Sequence, residues 1–232
     1  MNEADAAREM EHLFSRWMQG VTRARRLLAE ARLVFAFYCS LTALSRWMPP
    51  ALHVTALFGL AFPLIWGWVT GRWAEMGFTC QELPTALAWG LGSGLVSCLI
   101  GFLAVPERSL APDVGLQLAV GIPVWLLLAS PFQEFLFRGW LQPRYERSLG
   151  PRLGLLVATV GFTGWHYLLP IFEAANRSSF PLYSLRGLAA TFAAGLVYSH
   201  SFQRTGNIVT PWLAHAMAGT MFVALGSSSF LP

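Results

Sequence analysis

VGLQLAVGIPVWLLLASPFQEFLFRGWL, residues 114–141, decides the fold. It runs from Val114 to Phe132 without a charge and then sets Glu134 and Arg138 inside the same apolar stretch. About 20 apolar residues cross a hydrocarbon core roughly 30 Å thick, so this stretch is long enough to span a bilayer. Similar stretches recur on both sides of it, and the spans predicted are 33–48, 51–70, 83–105, 114–141, 153–170, 185–202 and 208–225. The expected fold is all-α, a polytopic transmembrane helix bundle of about seven spans, with room for an eighth.

The composition agrees. Of 232 residues, 55% are hydrophobic and 12% charged, where an ordinary globular domain carries about a quarter charged residues. The mean hydropathy is +0.49. A second folded domain does not fit, and the chain divides into an N-terminal cytoplasmic or interfacial helix over 1–32, N-terminal transmembrane helices over 33–113, and a unit over 114–232 that holds the unusual polar groups. The first apolar run follows about thirty mixed-charge residues, so no cleaved leader is expected.

All sixteen basic residues are arginine, the usage of a GC-rich bacterial coding sequence. They fall in loops rather than on an aromatic-laced face, so the net charge of +4 points to membrane topology and to no nucleic-acid partner. Arg23, Arg25, Arg26, Arg32, Arg72, Arg144, Arg147, Arg152 and Arg204 gather on one side, against Arg46, Arg108, Arg177 and Arg186 on the other. By the positive-inside rule the N-terminus is cytoplasmic, the C-terminus outside, and the expected location is a bacterial inner membrane. Cys39, Cys80 and Cys98 lack metal-ligand or disulfide spacing and read as packing residues. Gly90 and Gly94 read as a close helix contact. Asn176-Arg177-Ser178 spells a glycosylation acceptor, a match frequent by chance. No inverted repeat of the transporter kind is visible.

A charge at the middle of a membrane helix costs at least about 2.5 to 3.5 kcal/mol, so each one implies a partner or a task. Three places break the apolar pattern: Gln133, Glu134 and Arg138 in PFQEFLFRGWLQ, His166 in GFTGWHYLLP, and His215 in TPWLAHAMAG. Glu134 and Arg138, four apart, share a helix face; by themselves they read as an internal ion pair. Phe162 puts an aromatic ring one turn from His166, and a lone membrane histidine is usually a helix-to-helix hydrogen bond. At about 1.5 Å per residue, Glu134 and His215 lie on the order of 12 to 14 Å from the cytoplasmic helix ends and His166 about 20 Å. A carboxylate and two imidazoles on three helices can together deprotonate a water and protonate a leaving amine. His12, His53 and His200 sit at charged or interfacial positions and call for no such role.

These motifs resemble those of the CPBP family of intramembrane proteases, also called the CAAX protease and bacteriocin-processing or Abi family. The Glu-Glu-xxx-Arg motif corresponds to Gln133-Glu134-Phe-Leu-Phe-Arg138, followed by Gly139-Trp-Leu-Gln142. Phe-xxx-His matches Phe162-Thr-Gly-Trp-His166, and His-xxx-Asn aligns with His215-Ala-Met-Ala-Gly219 after the turn Arg204-Thr-Gly-Asn-Ile208. The resemblance covers roughly 114–220. It implies a membrane-embedded glutamic-type endopeptidase without an obligatory metal or other cofactor. Its substrate would be a protein or peptide with a C-terminal membrane anchor or tag, as in sorting-signal processing. Carried over, Glu134 is the base, His166 its partner in water activation, His215 an oxyanion donor, and Gln133, Arg138 and Phe162 support or position them.

Two positions depart from the family. Gln133 stands where the general base usually is, and an amide accepts no proton at neutral pH; Gly219 replaces an asparagine that donates to the oxyanion. Three explanations are open: Glu134 serves as base in a variant subfamily, the chain is a non-catalytic member, or Gln133 is a substitution that traps an inactive enzyme. A silent membrane scaffold or immunity-type binding protein is the alternative function. A zinc peptidase using Glu134, His166 and His215 is a further one, weakened by the lack of an HExxH helix.

Overall fold

Proline and glycine mark where the helices begin and end. In the computed structural model the described residues are 3–105, 109–111, 113–169 and 185–226, with the side chains of 3–8 left aside. Among them every regular element is helical. Helix α1 is Glu3–Leu44. Pro50 sits in the first turn of α2, Pro50–Thr70, where its missing N–H costs nothing, and Gly71, at a φ of 68°, closes that helix. A short 3₁₀ turn, Trp73–Met76, leads to α3, Leu83–Ala104. Helix α4, Val114–Leu149, is the longest after α1 and contains two π-type turns, Trp125–Ala129 and Phe135–Leu141. Gly150, at a φ of 85°, reverses the chain into α5, Pro151–His166. Helices α6, Leu185–Thr205, and α7, Val209–Ala224, complete the bundle.

The seven helices of the described residues fall on the seven apolar stretches, with three differences. The N-terminal segment and the first apolar stretch form one continuous helix, with no break near residue 32. Helix α4 runs on to Leu149 because Gln142–Leu149 keeps helical pattern with a polar face. Helix α5 stops at His166, four residues before Pro170, whose nitrogen has no hydrogen to give the His166 carbonyl. Four segments are long and apolar enough to cross a membrane, Glu9–Leu44, α2, α3 and α4, while α5 and α7 have only 16 residues each. Arg108, Arg177 and the Asn176–Ser178 acceptor lie outside the described residues.

The outside of the bundle is as apolar as its inside. Leu33, Ile65, Trp68, Leu95, Leu127 and Val160 are all exposed, an arrangement that water would not tolerate and that lipid requires. Helix ends sort into two groups by polar contacts. At one end Arg147 pairs with Glu75, Ser148 Oγ donates to the Ala24 carbonyl, and Gln203 donates to Glu146. At the other, Arg46 donates to the Tyr167 carbonyl and Arg186 to that of Leu103. Between them lies an aromatic core in which Tyr38 stacks on Trp165 at 5.2 Å and Trp165 Nε1 donates to Thr42 Oγ1 at 2.8 Å. The three cysteines are free, with Cys39 and Cys98 half-buried in packing and Cys80 exposed.

Close helix approach depends on absent side chains. Gly90 and Gly94 of α3 face Leu213 and Met217 of α7, and a Cβ on Gly59 of α2 would fall 2.4 Å from the Phe132 carbonyl oxygen of α4. Gly59→Ala must therefore push α2 off the helix that carries Glu134, and we expect a loss of about 2 kcal/mol in detergent unfolding. Gly92→Ala, whose Cβ meets open space, should be neutral or slightly stabilising, since alanine is the better helix former; equal losses at both would contradict the packing account.

Glu75, outside the spans, ties the 3₁₀ turn to the end of α4. The Arg72 guanidinium that hydrogen-bonds it at 2.5 and 2.6 Å, aided by Arg147, holds its carboxyl down at about 2. The folded value lies below the ordinary one of 4.5, so the stabilisation is complete above pH 4.5 and is lost as pH falls through about 2. A melting series from pH 6 to pH 2 should show a decline that shrinks in Glu75→Gln; identical profiles for the two proteins would refute the tie.

Candidate active site

Glu134 has no exposed surface, and neither has Arg138. Their spacing on α4 lets Arg138 Nη1 donate to Glu134 Oε1 at 3.1 Å. The same Oε1 receives Nδ1–H of His215 from α7 at 2.6 Å. Glu134 and His215 are thus level in the bundle, as the depth arithmetic from the helix ends expects. Glu134 Oε2 has no hydrogen-bond partner among the described residues.

Arg138 is held on three sides. Nη2 donates to the Gly195 carbonyl of α6 at 3.2 Å, and the guanidinium carbon lies 4.0 Å from the Phe162 ring centroid and 5.4 Å from that of Tyr198. Cation–π contact of this kind stabilises a desolvated charge by about 2 kcal/mol or more. Gly195 permits it: a Cβ there would come within 3.1 Å of Phe162 and 3.6 Å of Arg138 Nη2. Tyr198 also stacks on His215, with centroids 5.0 Å apart and planes 20° apart.

His166 does not touch Glu134. Its Nδ1–H donates to the Phe162 carbonyl at 2.8 Å, since a carbonyl oxygen only accepts, which leaves Nε2 as the lone-pair nitrogen. Its ring lies 4.3 Å from that of Phe162, and the Phe162 ring is 5.9 Å from that of His215. Phe162 therefore contacts both imidazoles, which are nearly buried at 9% and 7% exposure. Gln133 is also apart: its amide donates to the Ala129 carbonyl of its own helix at 3.0 Å, and its Oε1 has no partner among the described residues.

The position of Gly219, one turn after His215, is filled from another helix. A Cβ there would fall 2.0 Å from a ring carbon of Trp125, at the first π turn of α4. The Trp125 ring lies 5.7 Å from that of His215, and its Nε1 is buried without a partner among the described residues. Among the described residues no three His, Cys, Asp or Glu side chains gather as a metal-binding group. His12, His53 and His200 are exposed, His200 against the edge of Trp89.

The sequence reading did not include Trp125, Gly195 and Tyr198. All three are uncharged, and the search followed charge. The signal that could have found Gly195 and Tyr198 is their three-residue spacing, which puts them on the face of α6 that continues through Ser199 and Phe202, all buried.

Residues 115–221, from the start of α4 to the last turns of α7, match the family described as type II CAAX prenyl endopeptidase Rce1-like. No curated protein and no solved structure matches the chain. The matched segment contains Glu134, Arg138, His166 and His215, and with the apolar helices around it makes this an integral membrane protein. Over residues 115–221 the chain is thus similar to the Rce1-like family of type II CAAX prenyl endopeptidases.

Proposed function

We propose that the protein is an intramembrane endopeptidase that cleaves a membrane-anchored or C-terminally tagged protein, as in the processing of a sorting signal, with Glu134 as the base. The observation that carries this is the division of labour at the carboxylate. Oε1 takes the hydrogen bonds of Arg138 and His215, while Oε2 is left unpaired in a buried site. Two fixed donors orient the group, and the remaining oxygen faces no competitor for a water proton.

In this reading Oε2 takes a proton from water as the water oxygen attacks the peptide carbonyl carbon, and the proton then passes to the departing amine nitrogen. His166, with its lone pair on Nε2, helps to hold and deprotonate the water. His215 gives Nδ1–H to Glu134, and in a ring that enters the reaction doubly protonated its Nε2–H donates to the oxyanion. Arg138 fixes Glu134, Phe162 packs against both imidazoles, and Gln133 supports the helix turn below. The bundle crosses the membrane seven times, N-terminus cytoplasmic and residues 1–32 on that side, consistent with Arg72, Arg144, Arg147, Arg152 and Arg204 lying at one end of their helices. A bacterial inner membrane suits the arginine usage. The units are then 1–32, 33–113 and the catalytic core 114–232.

The turn of Gln133 onto its own helix favours a second reading, a catalytically silent member that binds a peptide or partner. Co-expression with epitope-tagged proteins carrying C-terminal anchors, read as a size shift on a blot, separates the two. Cleavage by the native chain that falls about a thousand-fold in Glu134→Ala and in His166→Ala is the expected outcome. Cleavage only by Gln133→Glu would mean a disabled enzyme, and no cleavage by any variant at normal membrane levels would favour the silent member.

A further inference from the structure

The geometry points to Trp125 as a catalytic residue that gives its indole N–H to the carbonyl oxygen of the scissile peptide. This inference rests on the endopeptidase reading and adds to it a group that no charge pattern marks.

The reaction puts negative charge on the carbonyl oxygen as water attacks, and a donor fixed in advance at that oxygen is what lowers the barrier most. His215 is poorly placed to be that donor at the outset. Its Nδ1–H is already committed to Glu134 Oε1 at 2.6 Å, so in the neutral ring Nε2 is an acceptor. Arg138 gives Nη1 to Glu134 and Nη2 to the Gly195 carbonyl, which fix its guanidinium on the carboxylate, although its Nε has no partner among the described residues. A donor that is independent of protonation and belongs to neither group is the indole of Trp125.

The indole nitrogen of Trp125 only donates, and it keeps its hydrogen throughout. Here it is buried and unpaired among the described residues, although buried donors are nearly always satisfied. Its ring lies 5.7 Å from that of His215. Two further features hold it there. Gly219 lacks the side chain that would collide with the ring, since a Cβ would meet three of its carbons at 2.0, 2.2 and 2.5 Å. The π turn Trp125–Ala129, just after Pro123, alters the rotation of α4 at this residue, and such turns recur at functional sites. The indole occupies the space into which a side chain from position 219 would project, beside His215. The unpaired donor Nε1 and the unpaired acceptor Glu134 Oε2 thus belong to side chains that both contact His215, one suited to a carbonyl oxygen and the other to a water.

Trp125→Phe removes the N–H and keeps an aromatic ring. With an epitope-tagged, C-terminally anchored reporter that the native chain cleaves, kcat should fall on the order of 10²-fold while KM stays within about twofold. The melting temperature should hold or rise, because an unpaired buried donor has been taken away. A purely structural role predicts the reverse, a lower melting temperature with KM and kcat both disturbed. The pair Trp125→Ala and Trp125→Ala/Gly219→Asn makes a second test, in which the asparagine amide returns a donor to the cleared space and should recover at least about tenfold of the lost rate. Cleavage by Trp125→Phe at the native rate, or no recovery in the double variant, overturns the inference and leaves the endopeptidase reading standing. Absence of cleavage by the native chain itself removes both.

Discussion

A carboxylate without exposed surface, Glu134, is the constraint on which this bundle depends. Left alone in a hydrocarbon interior it would be too costly to keep. Its two hydrogen bonds dictate what must surround it. Arg138 can reach it only from the next turn of α4, and His215 only if α7 lies against that face. Arg138, once buried, needs its own partners and takes the Gly195 carbonyl and the rings of Phe162 and Tyr198. One buried charge thereby joins α4, α5, α6 and α7. A buried pair of this sort adds little net stability over apolar packing, but loss of one partner strands the other.

The glycines and aromatic rings around the cluster follow from the same demand. Gly195 lets α6 approach Arg138, Gly59 lets α2 approach α4, and Gly219 makes room for Trp125. Each is a place where a side chain is absent so that another group can occupy its volume. The two departures from the family motifs differ in this light. Gln133 is spent on the Ala129 carbonyl and takes no part in the cluster, whereas Gly219 is coupled to an indole that fills its space. The first leaves its position outside the cluster; the second leaves room for a ring from another helix.

Much of this was legible in the sequence, and the residues show why. Apolar stretches long enough to cross a bilayer marked the helices, because hydrophobic length is a strong signal that needs no tertiary knowledge. Glu134 and Arg138 were legible as a pair because four-residue spacing fixes their contact within one helix. The level placement of His215 with Glu134 was within reach of arithmetic on helix rise, but the hydrogen bond between them depends on how α7 is rotated, which spacing along the chain does not encode. That His166 turns to the Phe162 carbonyl and not to Glu134 is likewise a tertiary fact. Trp125, Gly195 and Tyr198 gave no signal because an indole, a glycine and a phenol are ordinary in an apolar helix. The continuity of α1 was missed because its composition changes at residue 32, whereas nothing in the sequence there breaks a helix.

The central claim is that Glu134 and His215 work as one unit. Unfolding free energies of the native chain, Glu134→Gln, His215→Phe and the double variant, measured in one detergent at one pH, form a cycle that tests it directly. The account predicts that the double variant loses less than the sum of the single losses, by on the order of 1 to 3 kcal/mol. Strictly additive losses would contradict it and would mean that the two side chains stand side by side without acting on each other.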